Sequence, residues 1–392
     1  MSMVSQRKGG NKAIQKMSPE TGERGIKKRQ QMKYAIKDSK YRFLSVFDMD
    51  TGFYARTGIL DEKGKDTGVD PFMASYPHLI DVGIMGHCIH GKTGLCAKAG
   101  IGCYQSGLLV EEPNMSVDDF RFIAEQSRGR CNQFALGGRG DPDQHEQFEE
   151  ILRICRENNL VPNFTTSGYG MTEEIATLCK KYCGAVAVSW YRSPYTLGAI
   201  DTLLKAGVKT NIHYVLGRNS INEAIRRLQE DDFPKGTNAV IFLLHKPAGQ
   251  GSQANVLSIE DPRVEQFFTL LDASHPFKVG MDSCNVPGAI RFCENILPES
   301  LDTCEGGRFS CYISADMHMT PCSFDQGRKY YVSLRDMTIE EAWNSESFEA
   351  FRNRMRRACP GCEKKALCMG GCPLMPEIVF CDSKERIIVE GQ

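Results

Sequence analysis

LIDVGIMGHCIHGKTGLCAKAGIGCYQSG (79–107) joins a run of apolar residues to a glycine-rich loop that carries Cys88, Cys96 and Cys103. Its first seven residues, LIDVGIM (79–85), read as a strand buried on both faces, as strands of a parallel sheet are. Five more such runs follow: NQFALG (132–137), PNFTT (162–166), AVAVSW (185–190), KTNIHYVL (209–216) and AVIFLL (239–244). Amphipathic stretches separate them. Phe148, Ile151, Leu152 and Cys155 fall at i, i+3, i+4 and i+7, and Ile175, Leu178, Cys179 and Tyr182 repeat the pattern. Ile221, Ala224, Ile225 and Leu228 do the same, as do Val264, Phe267, Phe268 and Leu271. Ser116 and Thr172 are candidate N-caps. Six strands alternating with six helices predict a parallel α/β sheet, either open or closed into a partial barrel.

On either side of this core the pattern changes. Residues 1–40 hold eleven Lys or Arg against three acids, so the remaining 352 residues carry about nine negative charges in a chain whose formal charge is −1. That stretch reads as a flexible basic tail, with a sharper reading as a docking arm for an acidic peptide. Residues 41–78 contain FLSVFDMDTGFYARTGI (43–59), two short strands around the turn at Asp50-Thr51-Gly52. The βα alternation fills 79–283, and 284–392 is a loop-rich, cysteine-rich module expected to need metal to fold. The near-neutral balance of 48 basic and 49 acidic residues excludes bulk electrostatic capture of nucleic acid or membrane as the main activity. No stretch approaches the roughly 18 apolar residues of a membrane span, and the N-terminus lacks a signal-peptide apolar core. The expected compartment is a reducing, cytoplasmic one.

In such a compartment 17 cysteines, an odd number, point to metal rather than disulfides. CPGCEKKALCMGGC places Cys359, Cys362, Cys368 and Cys372 at spacing C-x₂-C-x₅-C-x₃-C, followed by Cys381, with Gly361, Gly370 and Gly371 permitting a tight backbone. Upstream lie Cys304, Cys311 and Cys322. Eight thiols suit two four-thiolate centres, and softness alone does not separate zinc from iron–sulfur. Cys88, Cys96 and Cys103 have no fourth cysteine close by. Three thiolates leave one iron of a four-iron cluster open to an outside ligand, and His87 or His90 would instead complete a zinc site. FALGGRGDP (134–142) ends the second strand, and Gly137, Gly138 and Gly140 let a ligand approach the backbone. Asp141 is either part of that site or a simple helix cap.

In this order the three elements resemble the radical SAM superfamily, specifically enzymes with a C-terminal SPASM domain, over about residues 79–385. The resemblance implies a partial (β/α)6 TIM-like barrel followed by a SPASM domain, with three [4Fe–4S] clusters and S-adenosyl-L-methionine as cofactors. Cys88, Cys96 and Cys103 would hold the cluster that chelates S-adenosylmethionine. Cys304, Cys311, Cys322 and Cys372 would hold one auxiliary cluster, and Cys359, Cys362, Cys368 and Cys381 the other. GGRG with Asp141 would match the glycine motif for the methionine amino group. Thr166, Ser167 and Ser189 look like strand-end polar positions that contact the cofactor, with Arg192 a carboxylate candidate. KPAGQG (246–251), with Ala248, is similar to the loop that supports adenine.

Two departures bear on function. The usual first motif is C-x₃-C-x₂-C with an aromatic just before the third cysteine. Here it is C-x₇-C-x₆-C, with Gly102 before Cys103 and Tyr104 after it. Sulfatase-maturating relatives place a proton-accepting Asp after the cysteine matching Cys322. Here Ser323, too weak a base near neutrality, disfavours formylglycine formation. The other cysteines are Cys131, Cys155, Cys179, Cys183, Cys284 and Cys293, of which Cys155 and Cys179 read as inert core.

The resulting expectation is an enzyme that reductively cleaves S-adenosylmethionine to a 5′-deoxyadenosyl radical and abstracts hydrogen from a ribosomally made peptide. The product would be a crosslink, thioether, epimer or excised residue, and the reductant a flavodoxin or ferredoxin-type protein. Three alternatives stay open: a protein side chain or small molecule as substrate, an electron-transfer protein, or a zinc-ribbon binding module. No residue of the sequence identifies the general acid or base.

Overall fold

A computed structural model describes residues 33–107, 109–297 and 300–381. It opens with strands β1 (Lys33–Asp38), β2 (Phe43–Asp48) and β3 (Tyr54–Arg56), an antiparallel three-stranded sheet. β1 corrects the reading of residues 1–40 as tail. Lys33 to Asp38 pair residue for residue with Asp48 back to Phe43, so backbone pairing overrides a polar, charged sequence. Residues 1–32 of that tail lie outside the described residues.

The main sheet follows the sequence prediction closely. β4 (Leu79–Met85), β5 (Gln133–Gly138), β6 (Val161–Thr166), β7 (Val186–Ser189), β8 (Thr210–Leu216), β9 (Ala239–Leu244) and β10 (Lys278–Met281) lie side by side in chain order, all parallel. A doubly wound sheet would reverse its strand order partway. Unbroken order with right-handed crossovers keeps every helix on one face and curls the sheet as part of a barrel. β10 is a seventh strand that periodicity missed, because KVGM is short and half-exposed.

Helices Phe148–Glu157, Ile221–Glu230 and Pro262–Leu271 bury the residues their spacing selects, whereas in Glu173–Tyr182 only Cys179 of those selected is fully buried and Ile175, Leu178 and Tyr182 pack partly buried against the core. Ser116 accepts a hydrogen bond from the Asp119 amide and Thr172 from the Ile175 amide, as expected of N-caps. Strand alternation sorts the side chains. Ile80, Val82 and Ile84 of β4, Phe134 and Leu136 of β5, and Val186 and Val188 of β7 pack under the helices. Asp81, Ala135, Asn163, Thr165, Ala187 and His213 therefore face the barrel interior. Full burial of each large apolar side chain contributes about 1.5–3 kcal/mol, which fixes this register firmly.

The C-terminal module is not a separate body. β11 (Ser310–Ile313) pairs parallel with β4, from Ser310 opposite Leu79 to Ile313 opposite Val82. β12 (His318–Thr320) and β13 (Val332–Ser333) then extend the same sheet antiparallel, to ten strands. No helix among the described residues is long and apolar enough to cross a membrane.

Candidate functional site

Beyond β4 the chain turns at Cys88 into the short helix Ile89–Thr93, and Cys96 lies in the next turn, Leu95–Lys98. Gly107 brings the ends of this loop together. A side chain there would come within 3.0 Å of Cys88 Cβ and 3.5 Å of Cys103 Sγ, and its amide donates to Cys103 Sγ at 3.4 Å. Cys96 interacts electrostatically with both Cys88 and Cys103, and burial chiefly pushes its thiol up to about 11. Despite their atypical spacing, the three cysteines meet at the C-terminal mouth of the barrel, where ligands of parallel sheets bind.

The glycine end of β5 lies flush against this group. Gly138, at φ +124°, would drive a Cβ to 2.5 Å from Met85 O, and Gly140 to 2.6 Å from His87 O. Gly137 has open space where a side chain would be, and is the place where a ligand can approach the backbone. Asp141 is neither a free ligand nor a side-chain cap. It accepts from His90 Nε2 at 2.8 Å, from the Ser167 amide at 2.8 Å and from Ser167 Oγ at 2.5 Å. It thus binds the Cys88 segment, β5 and β6 into one rim. On the third side, Gln250 of the KPAGQG loop donates to Cys103 O at 2.9 Å, and Gly249 passes too close to Tyr104 O for any side chain. Ala248 is buried inside that loop.

Two predicted contacts need correction. Thr166 is buried on the outer side of β6, and its hydroxyl accepts from the Gly168 amide at 3.0 Å; Thr165 faces inward instead, against His213. Arg192 is exposed and held by Glu223, which it shares with Arg227, and it lies over the Tyr214 ring. Ser189 does reach the mouth, beside Tyr191, whose hydroxyl is 3.7 Å from Cys96 Sγ.

The auxiliary cysteines need the largest correction. Cys311 sits on β11, buried in the core among Cys131, Asp81 and Arg352, because its strand turns Ser310 and Tyr312 to the other face. Cys284, just after β10, lies beside the other three instead. Cys284 interacts directly with Cys372, and also with Cys304 and Cys322. The Met375 amide donates to Cys372 Sγ at 3.3 Å. In the other group Cys368 interacts with Cys359 and Cys381, and the Cys362 amide bonds to Cys359 O at 3.2 Å in a tight turn. A cysteine 20 residues upstream of the dense run gives no spacing signal; only its position after a strand end could have drawn notice. Cys131, Cys155 and Cys179 are buried in the core.

Asp81 was also passed over. It stands on the inner face of β4, burial raises its pKa, and it interacts with Tyr104 and Tyr312. An acid inside LIDVGIM was the available sign.

None of the 17 cysteines is disulfide-bonded. Among the described residues no three His, Cys, Asp or Glu side chains converge as ligands of a single metal ion do. Three thiols at the barrel mouth and four in each of the other two groups form donor sets of the kind that hold iron–sulfur clusters.

Comparison with known proteins agrees with this arrangement. Residues 304–364 match SPASM, an iron-sulfur cluster-binding domain. Streptococcus suis SuiB, solved bound to the precursor peptide SuiA, superposes with TM-score 0.59 at 13% identity, covering 80% of this chain and 77% of that one. The same protein bound to S-adenosylmethionine gives 0.57 at 13%, covering 80% and 78%. Native anSMEcpe with bound AdoMet and the Cp18Cys peptide gives 0.57 at 17%, covering 78% and 91%. No curated protein matches at the level of sequence. The chain therefore has a SPASM iron-sulfur cluster-binding domain at residues 304–364, and it shares its fold with SuiB and anSMEcpe.

Proposed function

We propose that this chain is a radical SAM enzyme that modifies a peptide. The observation that carries the reading is the meeting of Cys88, Cys96 and Cys103 against the glycine end of β5, at the mouth of a barrel with a SPASM domain attached. When loaded, an iron–sulfur cluster on these thiols supplies one-electron cleavage of S-adenosylmethionine and so the hydrogen-abstracting radical. The chain's own residues hold and orient. Gly137 leaves backbone open to the methionine end, Asp141 fixes the rim, and the 246–251 loop closes over Cys103 and Tyr104. Ser189 and the polar inner face of β6 and β8 line the interior where substrate would lie.

Two further centres are assigned to the other thiols: Cys284, Cys304, Cys322 and Cys372 for one, Cys359, Cys362, Cys368 and Cys381 for the other. A peptide substrate is supported by the peptides in the structures that share this fold. The electron would come from a flavodoxin or ferredoxin-type protein. Ser323 in place of a carboxylate points away from formylglycine chemistry and toward crosslinking, thioether formation, epimerisation or excision.

Anaerobic reconstitution with iron and sulfide counting, followed by reduction with S-adenosylmethionine, tests this reading. Three clusters give about 12 irons per chain and release 5′-deoxyadenosine. Zinc without iron, or no deoxyadenosine after reduction, rejects it. Mass spectrometry after co-expression with short neighbouring reading frames would identify the peptide.

A further inference from the structure

Lys246 begins the loop that clasps Cys103, and its side chain reaches Asp282, two residues before Cys284, and the ring of Phe324, two residues after Cys322. It is buried, and its ammonium donates to Leu244 O at 2.9 Å and to Asp282 Oδ2 at 2.6 Å. It also lies 4.5 Å from the Phe324 ring centroid. Phe324 stacks on Tyr104, centroids 4.4 Å apart, and Tyr104 follows Cys103. One cation thus stands between the barrel mouth and the group formed by Cys284, Cys304, Cys322 and Cys372.

Its field reaches those thiols. Lys246 interacts with Cys284 and Cys372, and it acts on Cys322 as well. The carboxylate of Asp282 thus anchors an ammonium that lies between the segment leading to Cys284 and the segment following Cys322. A buried cation is a costly feature that packing alone would replace with an apolar side chain. Beside a cluster it has a use, because a fixed positive charge in a low-dielectric site favours the more negative, reduced state.

We propose that Lys246 is a positioning charge that raises the reduction potential of the cluster held by Cys284, Cys304, Cys322 and Cys372, with Asp282 limiting the rise. The inference rests on the reading that these four thiols hold an iron–sulfur cluster.

The test is an EPR-monitored redox titration of the full-length, anaerobically reconstituted protein, without S-adenosylmethionine or peptide. Replacing Cys88, Cys96 and Cys103 by Ala leaves the two auxiliary clusters, about eight irons, so that each potential is read separately. Adding K246M should lower one of the two potentials by at least a tenfold change in the reduction equilibrium, about 59 mV for one electron. D282N should move the same potential upward, and K246R should restore it. Opposite shifts from the two partners of one ion pair are the signature of a field; damage to packing would move both the same way. Unchanged potentials in K246M at full iron content overturn the inference, and so do shifts of the same sign in K246M and D282N. Should K246M fail to take up iron, the sign of the D282N shift decides. A parent protein lacking one auxiliary cluster signal overturns the functional reading, and this inference with it.

Discussion

Asp141 accepts both the amide and the hydroxyl of Ser167, at 2.8 and 2.5 Å. With His90 on the same carboxylate, one side chain sets the spacing of three segments around the cofactor mouth. D141A should weaken S-adenosylmethionine binding about tenfold to a hundredfold, the equivalent of one hydrogen bond to a charged group. Equilibrium binding to the reconstituted protein checks this, and the auxiliary clusters should keep their iron. An unchanged affinity would show that the rim does not depend on Asp141.

Cys284 and Cys311 separate the two ligand assignments. C284A should lose about four irons per chain. C311A should keep all of its iron and lose only about 1 kcal/mol of stability, the cost of a small core vacancy. Iron and sulfide analysis of the two purified variants reads the result directly. The reverse pattern would restore Cys311 as the ligand.

Gly137 and Gly138 are neighbours with opposite demands. Gly138 needs its φ of +124° and has Met85 O where a side chain would go, so G138A should cost at least about 1–3 kcal/mol. Gly137 has open space, so G137A should melt with the parent yet bind S-adenosylmethionine more weakly, since the methyl group occupies the approach to the backbone. Thermal melts and equilibrium binding on both variants make the comparison.

Asp143 gives a pH dependence. Its carboxylate is buried, and burial, aided by Asp141, pushes its pKa from 3.8 up to about 7. Between those values the folded protein binds more protons than the unfolded chain, so stability falls as pH rises from about 4 to 7. D143N removes this contribution. Its stability should decline less steeply between pH 5 and 8, and at pH 8 it should exceed the parent by on the order of 2–4 kcal/mol. Urea midpoints at the two pH values measure it. A slope equal to that of the parent would mean Asp143 is already ionised in the folded state.

How far the sequence carries depends on the kind of information asked of it. Strands β4 to β9 were legible because burial on both faces leaves continuous apolar runs. β1 and β10 were not, since each is held by backbone pairing at a sheet edge where side chains are free to be polar. The Cys88 loop could be placed at a strand end, but the core position of Cys311 and the nearness of Cys284 to Cys372 could not be foreseen. Spacing along a chain does not say which face of a strand a cysteine takes, and β11 acquires its face only by pairing with β4. Arg192 and Thr166 failed for the same reason. Alternation turns Thr166 outward at the end of β6, and Glu223 holds Arg192 in the loop beyond β7.

The pairing of β11 with β4 has one more consequence. Ser310 to Ile313 lie in register against Leu79 to Val82, so the first barrel strand spends its outer edge on the module that follows the barrel. A chain cut before residue 300 would bare that edge as an unpaired row of amides and carbonyls, open to another copy. Barrel and auxiliary module are thus a seam rather than a hinge. Exchanging one half for that of a distant relative would require matching this register before any cofactor could be considered.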